Sequence, residues 1–374
     1  MVSPYTIPYL SLRDVLRRHR AELITAATTV IDSGRYLCGD EVAAFETAFA
    51  RYTGAACCVG VGNGLDALTL ILLALKQREG WADGDEVIVP AMTFVATAEA
   101  VSRAALRPVF CDVDAHFLLD AEGVEPLVTP RTRALLPVHL YGREADMAAL
   151  AAVAEHYHLL LVEDAAQAHG AVTFTAERPS VAAAFSFYPG KNLGALGDGG
   201  AVVTHDAALA AQIRALANYG ATRRYHHEWQ GINSRLDELQ AAFLRVRLAH
   251  LDADNRRRRA IAALYNAGIR HADVAVPYEG MLSGVYHIYP LMARRRDALQ
   301  QHLAAHGIET LVHYPVAVHR QPVYAAYHAQ HFPRAEQVAA DELSLPIGPT
   351  LTDDNVHTII QAINTFGEDT GMRS

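Results

Sequence analysis

Cysteine is scarce in this 374-residue chain. Cys38, Cys57, Cys58 and Cys111 are its only four, and their spacing forms neither a metal or redox motif nor a disulfide framework. Disulfide-stapled and zinc-ribbon classes are thereby excluded, and a reducing cytoplasm is the expected compartment. No apolar run reaches the roughly 20 residues that span a bilayer. The first residues, Met1-Val2-Ser3-Pro4-Tyr5-Thr6, lack a basic segment followed by an apolar one, so no membrane partner is expected. Positive charge is short as well: the formal net charge is −9. The arginine runs at 256–259 and 294–296 read as solvated faces, too small to recognise nucleic acid. Histidine is plentiful at 19 residues, yet no His-Glu-x-x-His occurs, and the adjacent His226 and His227 point in different directions on any regular element. The histidines therefore read as surface and loop residues, and no metal is expected.

What the chain does have is apolar content, 51% hydrophobic, enough for one large core and a second smaller one. Short β-like runs at 57–61, 86–90, 108–112, 134–139 and 159–163 alternate with helical patterns such as Leu68, Ile71, Leu72 and Leu75. That alternation predicts an α/β fold with a mostly parallel central sheet flanked by helices. Two more strands, 182–187 and 200–204, are separated only by a loop. A long helix over 233–250, with Leu236, Leu239, Phe243 and Val246 on one face, leads to an arginine-rich turn. That turn marks a boundary between a large domain, 1–250, and a small α/β domain, 251–374. In the latter the pattern predicts strands at 285–293 and 308–313 and helices at 297–306, 333–341 and 354–366.

Lys191 lies in the loop between the last two strands of the large domain, in the apolar, glycine-rich stretch from Phe185 to Gly200. A lysine in such surroundings serves chemistry: desolvation leaves its amine neutral often enough to form a Schiff base with an aldehyde. Ser186, five residues earlier, is placed to bind a phosphate, and the glycines beyond the lysine would let backbone approach a flat ring. At the end of another apolar run, Asp164 brings a carboxylate to the carboxyl edge of the sheet, where α/β proteins bind ligands. It could pair with a pyridinium nitrogen. The two segments together point to pyridoxal 5′-phosphate.

The phosphate end reads from Gly60 to Leu68. Asn63 caps a helix with Asp66 at its third position, and the N–H groups of Gly64, Leu65 and Asp66 at the positive end of that helix form an anion site. A dinucleotide fingerprint would require glycine where Leu65 stands. Asp112-Val113-Asp114 matches the Asp-x-Asp of metal-dependent glycosyltransferases, a tripeptide too short to carry weight. Phe94, opening the helix after the strand at 86–90, could stack on a pyridine face; taken alone, such a residue is more often core.

With these residues assembled, the chain resembles the DegT/DnrJ/EryC1/StrS family of sugar aminotransferases, in the aspartate aminotransferase (fold type I) superfamily. The resemblance runs from Gly34-Arg35-Tyr36-Leu37-Cys38-Gly39-Asp40 through Glu86-Val87-Ile88-Val89-Pro90 to His313-Tyr314-Pro315. It implies that Lys191 holds the cofactor, that Asp164 pairs with the pyridine nitrogen, that Gln167 contacts the ring hydroxyl, that Ser186 binds phosphate and that Phe94 stacks on the ring. It further implies a homodimer with shared active sites, Gly231-Ile232-Asn233-Ser234-Arg235-Leu236 being lent to the neighbour. Asn233 is then either a phosphate contact in trans or a cap for the helix after it.

Family members that dehydrate sugars carry histidine in place of the lysine, so Lys191 favours transamination. The family's usual Ser-Gly-Thr is here Asn63-Gly64-Leu65, which removes a hydroxyl and leaves more of the phosphate to backbone amides. The loop from Ala171 to Val181 lacks the glycines often found there, which can reshape the substrate mouth. The segments 184–195 and 233–238 look most like enzymes that aminate carbon 3 of dTDP-3-oxo-6-deoxyhexoses, with L-glutamate as donor. Amination at carbon 4 of a nucleotide sugar or of a cyclitol ketone, another reaction of the same cofactor, and a non-catalytic cofactor-binding regulator are the alternatives. His313 and Tyr314 are the candidate substrate-binding residues; a buried structural role stands beside that reading. His319 has less in its favour.

Overall fold

A computed structural model describes residues 5–276 and 284–367. Seven strands form the main sheet: β1 (Cys57–Val61), β2 (Glu86–Pro90), β3 (Arg107–Cys111), β4 (Thr132–Leu135), β5 (Leu160–Asp164), β6 (Ala182–Ser186) and β7 (Gly200–Thr204). Their spatial order is β1-β7-β6-β5-β4-β2-β3. β7 is antiparallel to both its neighbours, and the remaining pairings are parallel. Such strands are covered on both faces and need apolar side chains on both. β2 and β7 accordingly are buried along their whole length.

Alternation along β6 and β7 separates two cores. Ala182, Ala184 and Val202 join Leu68, Ile71 and Leu75 of the helix Gly64–Glu79. Ala183, Phe185, Ala201 and Val203 pack with Phe45 and Phe49 of the helix Asp40–Thr53 and with Ala241 and Leu244. The two clusters are on opposite faces, since successive side chains on a strand point opposite ways. Because only β7 runs backwards, its first residue lies beside the ends of β1 and β6: Gly200 pairs with Val61 and with Ser186. The loop carrying Lys191 therefore opens at the carboxyl edge of the sheet.

A two-stranded hairpin, β8 (Ala221–Arg223) and β9 (His226–His227), follows. A second, antiparallel sheet is built from β10 (Val274–Ala275), β11 (Tyr289–Ala293) and β12 (Glu342–Leu345). The helices Arg296–Ala305, Pro333–Asp341 and Asp353–Asn364 accompany it.

Four sequence expectations change. The helix expected from 233 begins at Glu238, capped by Asp237, whose Oδ1 accepts from Gln240 N at 2.7 Å. Asn233 instead bridges to Asn218 in extended backbone, so it caps nothing. The arginine-rich turn is helix, Leu251–Gly268, with Arg258 buried in it; the guanidinium reaches the carbonyls of Tyr286 and Ile347, both at 3.1 Å, a use no local pattern reveals. The strand expected at 308–313 makes only single bridges, Ile7 to Ile308 and Leu311 to Ser344. The ladder forms at Glu342–Leu345, four residues too short to show a period. Finally, His139, His169 and His319 are buried rather than on the surface. Asp112 has a structural use too: its carboxylate accepts from Arg334 N (3.1 Å) and Ala335 N (2.9 Å) at the start of the helix Pro333–Asp341.

Candidate active site

The loop after β6 is tightly closed. Lys191 N donates to Tyr188 O at 2.8 Å and Ala195 N to Phe187 O at 2.8 Å. A Cβ on Gly194 would sit 2.3 Å from Pro189 O, so only glycine closes this turn. The loop is clamped from below: buried Asn192 donates to Asn255 Oδ1 (2.8 Å) and Val285 O (3.0 Å), and Arg247 reaches Gly194 O (3.3 Å). Two of the glycines thus serve contacts within the protein, Gly194 against Pro189 and Gly200 against Asn63.

Lys191 itself is half-buried, and among the described residues no hydrogen bond engages its Nζ. Burial pulls its pKa down to about 8, against the opposing pull of the Asp164 carboxylate. A sizeable fraction of neutral amine near neutral pH is what a nucleophile or general base needs.

Asp164 ends β5, buried. Burial raises its pKa, while Ala166 N–H (3.1 Å) and Thr97 Oγ1 (2.8 Å) favour the anion. Thr97 is held in turn by Thr93, oxygen to oxygen 2.9 Å. Behind Asp164 lies a second, fully paired carboxylate. Glu163 accepts from Arg178 Nε (2.6 Å) and Nη2 (2.7 Å) and lies 2.7 Å from His139 Nε2. Ala145 N donates to His139 Nδ1 at 3.1 Å, so the imidazole proton is on Nε2, toward Glu163. Burial drives the Glu163 pKa up, but these partners outweigh it and hold it at about 2. The two neighbouring carboxylates thus differ: Glu163 is sealed by partners, whereas Asp164 feels the charge of the lysine.

The phosphate end forms where distant segments meet. Asn63 caps the helix Gly64–Glu79 as expected, its Oδ1 accepting from Asp66 N at 2.8 Å. The Asp66 N–H is thereby occupied, which corrects its expected place in the anion site. Only the N–H groups of Gly64 and Leu65 stay without a partner among the described residues. A Cβ on Gly64 would meet Ser186 Cβ at 2.7 Å, so glycine brings the helix end directly against the Ser186 hydroxyl. Ser234, which the sequence reading passed over, locks the arrangement. Its Oγ donates to Asp66 Oδ2 (2.7 Å) and accepts from Gly62 N (2.9 Å). Ser234 is buried while its neighbour Asn233 is exposed, so Asn233 points away from this chain's own Ser186 cradle.

Phe94 is 53% exposed, which sets aside the core reading, and its ring centroid lies 5.4 Å from that of Tyr314. Gln167 is buried with both amide atoms engaged: Oε1 accepts from Tyr141 N (2.5 Å), and Nε2 donates to Tyr314 Oη (3.2 Å). Tyr141 Oη donates to His313 O. Tyr314 thus meets Gln167 and Phe94, and His313 joins them through Tyr141. His319 does not: it is fully buried, with Nε2 2.9 Å from Glu336 Oε1. Tyr188, 60% exposed beside the lysine, was missed because an aromatic next to a buried strand reads as core. A cavity of about 1010 Å³ lies elsewhere, between Cys38, Arg78, Arg214 and Arg235, and neither Lys191 nor Asp164 lines it.

Residues 17–364 match the DegT/DnrJ/EryC1/StrS aminotransferase family. The chain is 49% identical to dTDP-3-amino-3,4,6-trideoxy-alpha-D-glucose transaminase of Streptomyces venezuelae, over 97% of this chain and 96% of that protein. It superposes on the crystal structure of S. venezuelae DesV in complex with a ketimine intermediate with a TM-score of 0.91 at 48% identity, covering 97% of this chain and 98% of that one. The crystal structure of NtdA from Bacillus subtilis with bound cofactor PMP superposes with a TM-score of 0.89 at 27% identity, over 96% and 85% of the two chains.

Proposed function

This chain belongs to the DegT/DnrJ/EryC1/StrS aminotransferase family, and from that premise we infer that it aminates carbon 3 of a dTDP-3-oxo-6-deoxyhexose with L-glutamate as amino donor. It is a pyridoxal-phosphate-dependent sugar aminotransferase. One observation carries the site assignment: Lys191, whose amine has no hydrogen bond among the described residues, lies in the loop at the sheet's carboxyl edge, near enough to buried Asp164 for each charge to act on the other.

The residues present fit the cofactor. Two free N–H groups at a helix start and the abutting Ser186 hydroxyl suit a phosphate dianion, and Asp164 suits a protonated ring nitrogen. When bound, pyridoxal phosphate supplies an electron sink for the carbanion formed at the donor's α-carbon. Lys191, as the neutral amine, would take the proton from that carbon and hold it for delivery to the carbon on the far side of the amino nitrogen. Asp164, in a site where low dielectric strengthens charge pairing, favours the ring's protonated form. Phe94 would stack on the ring, and Tyr314, next to Phe94 and held through its hydroxyl by Gln167, would line the sugar pocket.

The working unit is a homodimer with Asn233 reaching the neighbour's phosphate cradle. Exposed Tyr36, Leu37 and Tyr219 support this: Leu37 bridges to Asp237 and Asn218 to Asn233, so apolar groups surround the segment to be lent. We place the large domain at 1–250 and the small one at 251–374; the seven-stranded sheet falls within the first range and the three-stranded sheet within the second. Among the described residues no helix is long and apolar enough to cross a membrane. The four unpaired cysteines favour the cytoplasm.

The test is spectroscopic. The cofactor band of the purified enzyme should bleach with L-glutamate and return with dTDP-3-oxo-6-deoxyhexose. A band that bleaches but returns only with a 4-oxo sugar or a cyclitol ketone would move the reaction to that substrate.

A further inference from the structure

His313 belongs to a buried hydrogen-bonded chain that leads away from the site. Its Nδ1 lies 2.8 Å from Ser344 Oγ, and Ser344 Oγ donates to Glu342 Oε1. The other carboxylate oxygen, Oε2, accepts from His313 N at 2.7 Å. Ser344 and Glu342 are fully buried. β12 holds them in place, since Leu311 and Ser344 exchange backbone hydrogen bonds, Ser344 N to Leu311 O at 2.8 Å. The imidazole Nε2 has no partner among the described residues and is not sealed from solvent.

We propose that Glu342 and Ser344 are positioning residues: through this wire they set which nitrogen of His313 carries the proton, and hence whether the ring accepts from or donates to the ketosugar. The proposal rests on the reading of His313 as part of the sugar pocket.

Hydrogen-bond arithmetic carries it. With Glu342 ionised, both its oxygens accept, and the Ser344 hydroxyl hydrogen points to Oε1. Ser344 Oγ can then only accept from the ring, so the proton is on Nδ1 and Nε2 presents a lone pair. With Oε1 protonated, that oxygen donates to Ser344 Oγ, whose own hydrogen turns to Nδ1. Nδ1 is now the acceptor, and Nε2–H becomes a donor. One proton arriving at Nε2 makes the change: an N–H bond forms there, the Nδ1 proton passes to Oγ, and the Oγ proton passes to Oε1. The ring is neutral before and after.

The surroundings agree. Burial pushes the Glu342 pKa up to about 8, outweighing the hydrogen bonds from Ser344 and His313 N and the charge of Arg296. Burial and the charge of Lys191 push His313 down to about 4, so the imidazole stays uncharged while Glu342 titrates. Of the other groups around them, the Tyr9 and Tyr314 hydroxyls are raised by burial and stay protonated. His287 is pushed well below its ordinary range by burial and stays neutral.

The experiment is nitrogen NMR of ¹⁵N-histidine-labelled holoenzyme without sugar, the His313 signal being identified by its loss in His313→Gln. In the wild type the proton should move from Nε2 to Nδ1 as pH rises through about 8. Glu342→Gln should keep it on Nε2 throughout: the amide oxygen takes His313 N–H, and the amide nitrogen donates to Ser344. Ser344→Ala should abolish the pH-dependent change. A tautomer that ignores pH in the wild type, or that is unaltered by Glu342→Gln, overturns the proposal. The wild-type titration needs no variant to fold. The ketosugar half-reaction, followed by stopped flow, should change its apparent affinity about tenfold over the same interval, the worth of one hydrogen bond. Glu342→Gln should lose that dependence. A tautomer that moves while the half-reaction does not would uphold the wire and overturn the placement of His313 in the sugar pocket.

Discussion

Among the described residues Lys191 Nζ has no hydrogen bond to lose, so Lys191→Ala should retain the fold, checked by circular dichroism. Turnover should fall by about 10⁴-fold or more as both nucleophile and base disappear. The lowered pKa has a definite sign. The amine is charged below about 8 and neutral above it, so attachment of pyridoxal phosphate to apoenzyme, followed by absorbance, should quicken as pH rises and level off beyond that value. A rate flat across this interval would mean that burial does not neutralise the lysine. Lys191 and Asp164 were legible in the sequence because their neighbours along the chain, a buried strand and a glycine-rich loop, already specify their surroundings. The exposure of Tyr188 was not, because nothing local says what covers it.

At the scale of elements, the start of the helix Gly64–Glu79 is the most exacting piece. Its cap uses Asn63, its register depends on Asp66, and Ser234 from a segment 168 residues away ties both to the end of β1. Asn63→Ala should cost about 1 kcal/mol of stability, the usual worth of a cap, read as a lower denaturant midpoint. It should also weaken cofactor binding about tenfold by letting Gly64 and Leu65 N–H drift from the phosphate, read by equilibrium titration of the apoenzyme. The sequence pattern reached Asn63 and Asp66, three residues apart on one turn. It assigned the Asp66 N–H to the ligand although the cap consumes it, because a cap and an anion compete for the same donors and only geometry shows which wins.

For the whole molecule, the exposed aromatic face around Asn233 and the orientation of Asn233 away from its own cradle make a test in trans possible. Lys191→Ala and Asn233→Ala proteins, each impaired alone, should regain activity when mixed under conditions that exchange subunits. One site of the mixed dimer would combine Lys191 from one chain with Asn233 from the other. Each mixed dimer has one intact site in two and random exchange makes half of the dimers mixed, so recovery toward about a quarter of the wild-type rate is expected; no recovery would place Asn233 in the same chain's site. The same scale explains Arg258 and His139. Their places looked like surface in the sequence, yet the charge of one is spread over carbonyls from distant loops, and the other is paired with Glu163. A buried polar group is stable only with its partners in place.

The sequence by itself determined the alternation that makes a mostly parallel sheet, the position of Lys191 between the last two strands, the carboxylate at the end of β5 and the capped helix start. Each depends on residues close along the chain, where periodicity and turn chemistry act directly. Tertiary structure decided what those groups face: Gly64 against Ser186, Ser234 on Asp66, Gln167 between Tyr141 and Tyr314, and His313 wired to Glu342. Most of these pairs join segments far apart in sequence, and even His313 and Glu342 meet only because β12 pairs where it does. No local pattern encodes such contacts; the packing of two cores across one sheet does.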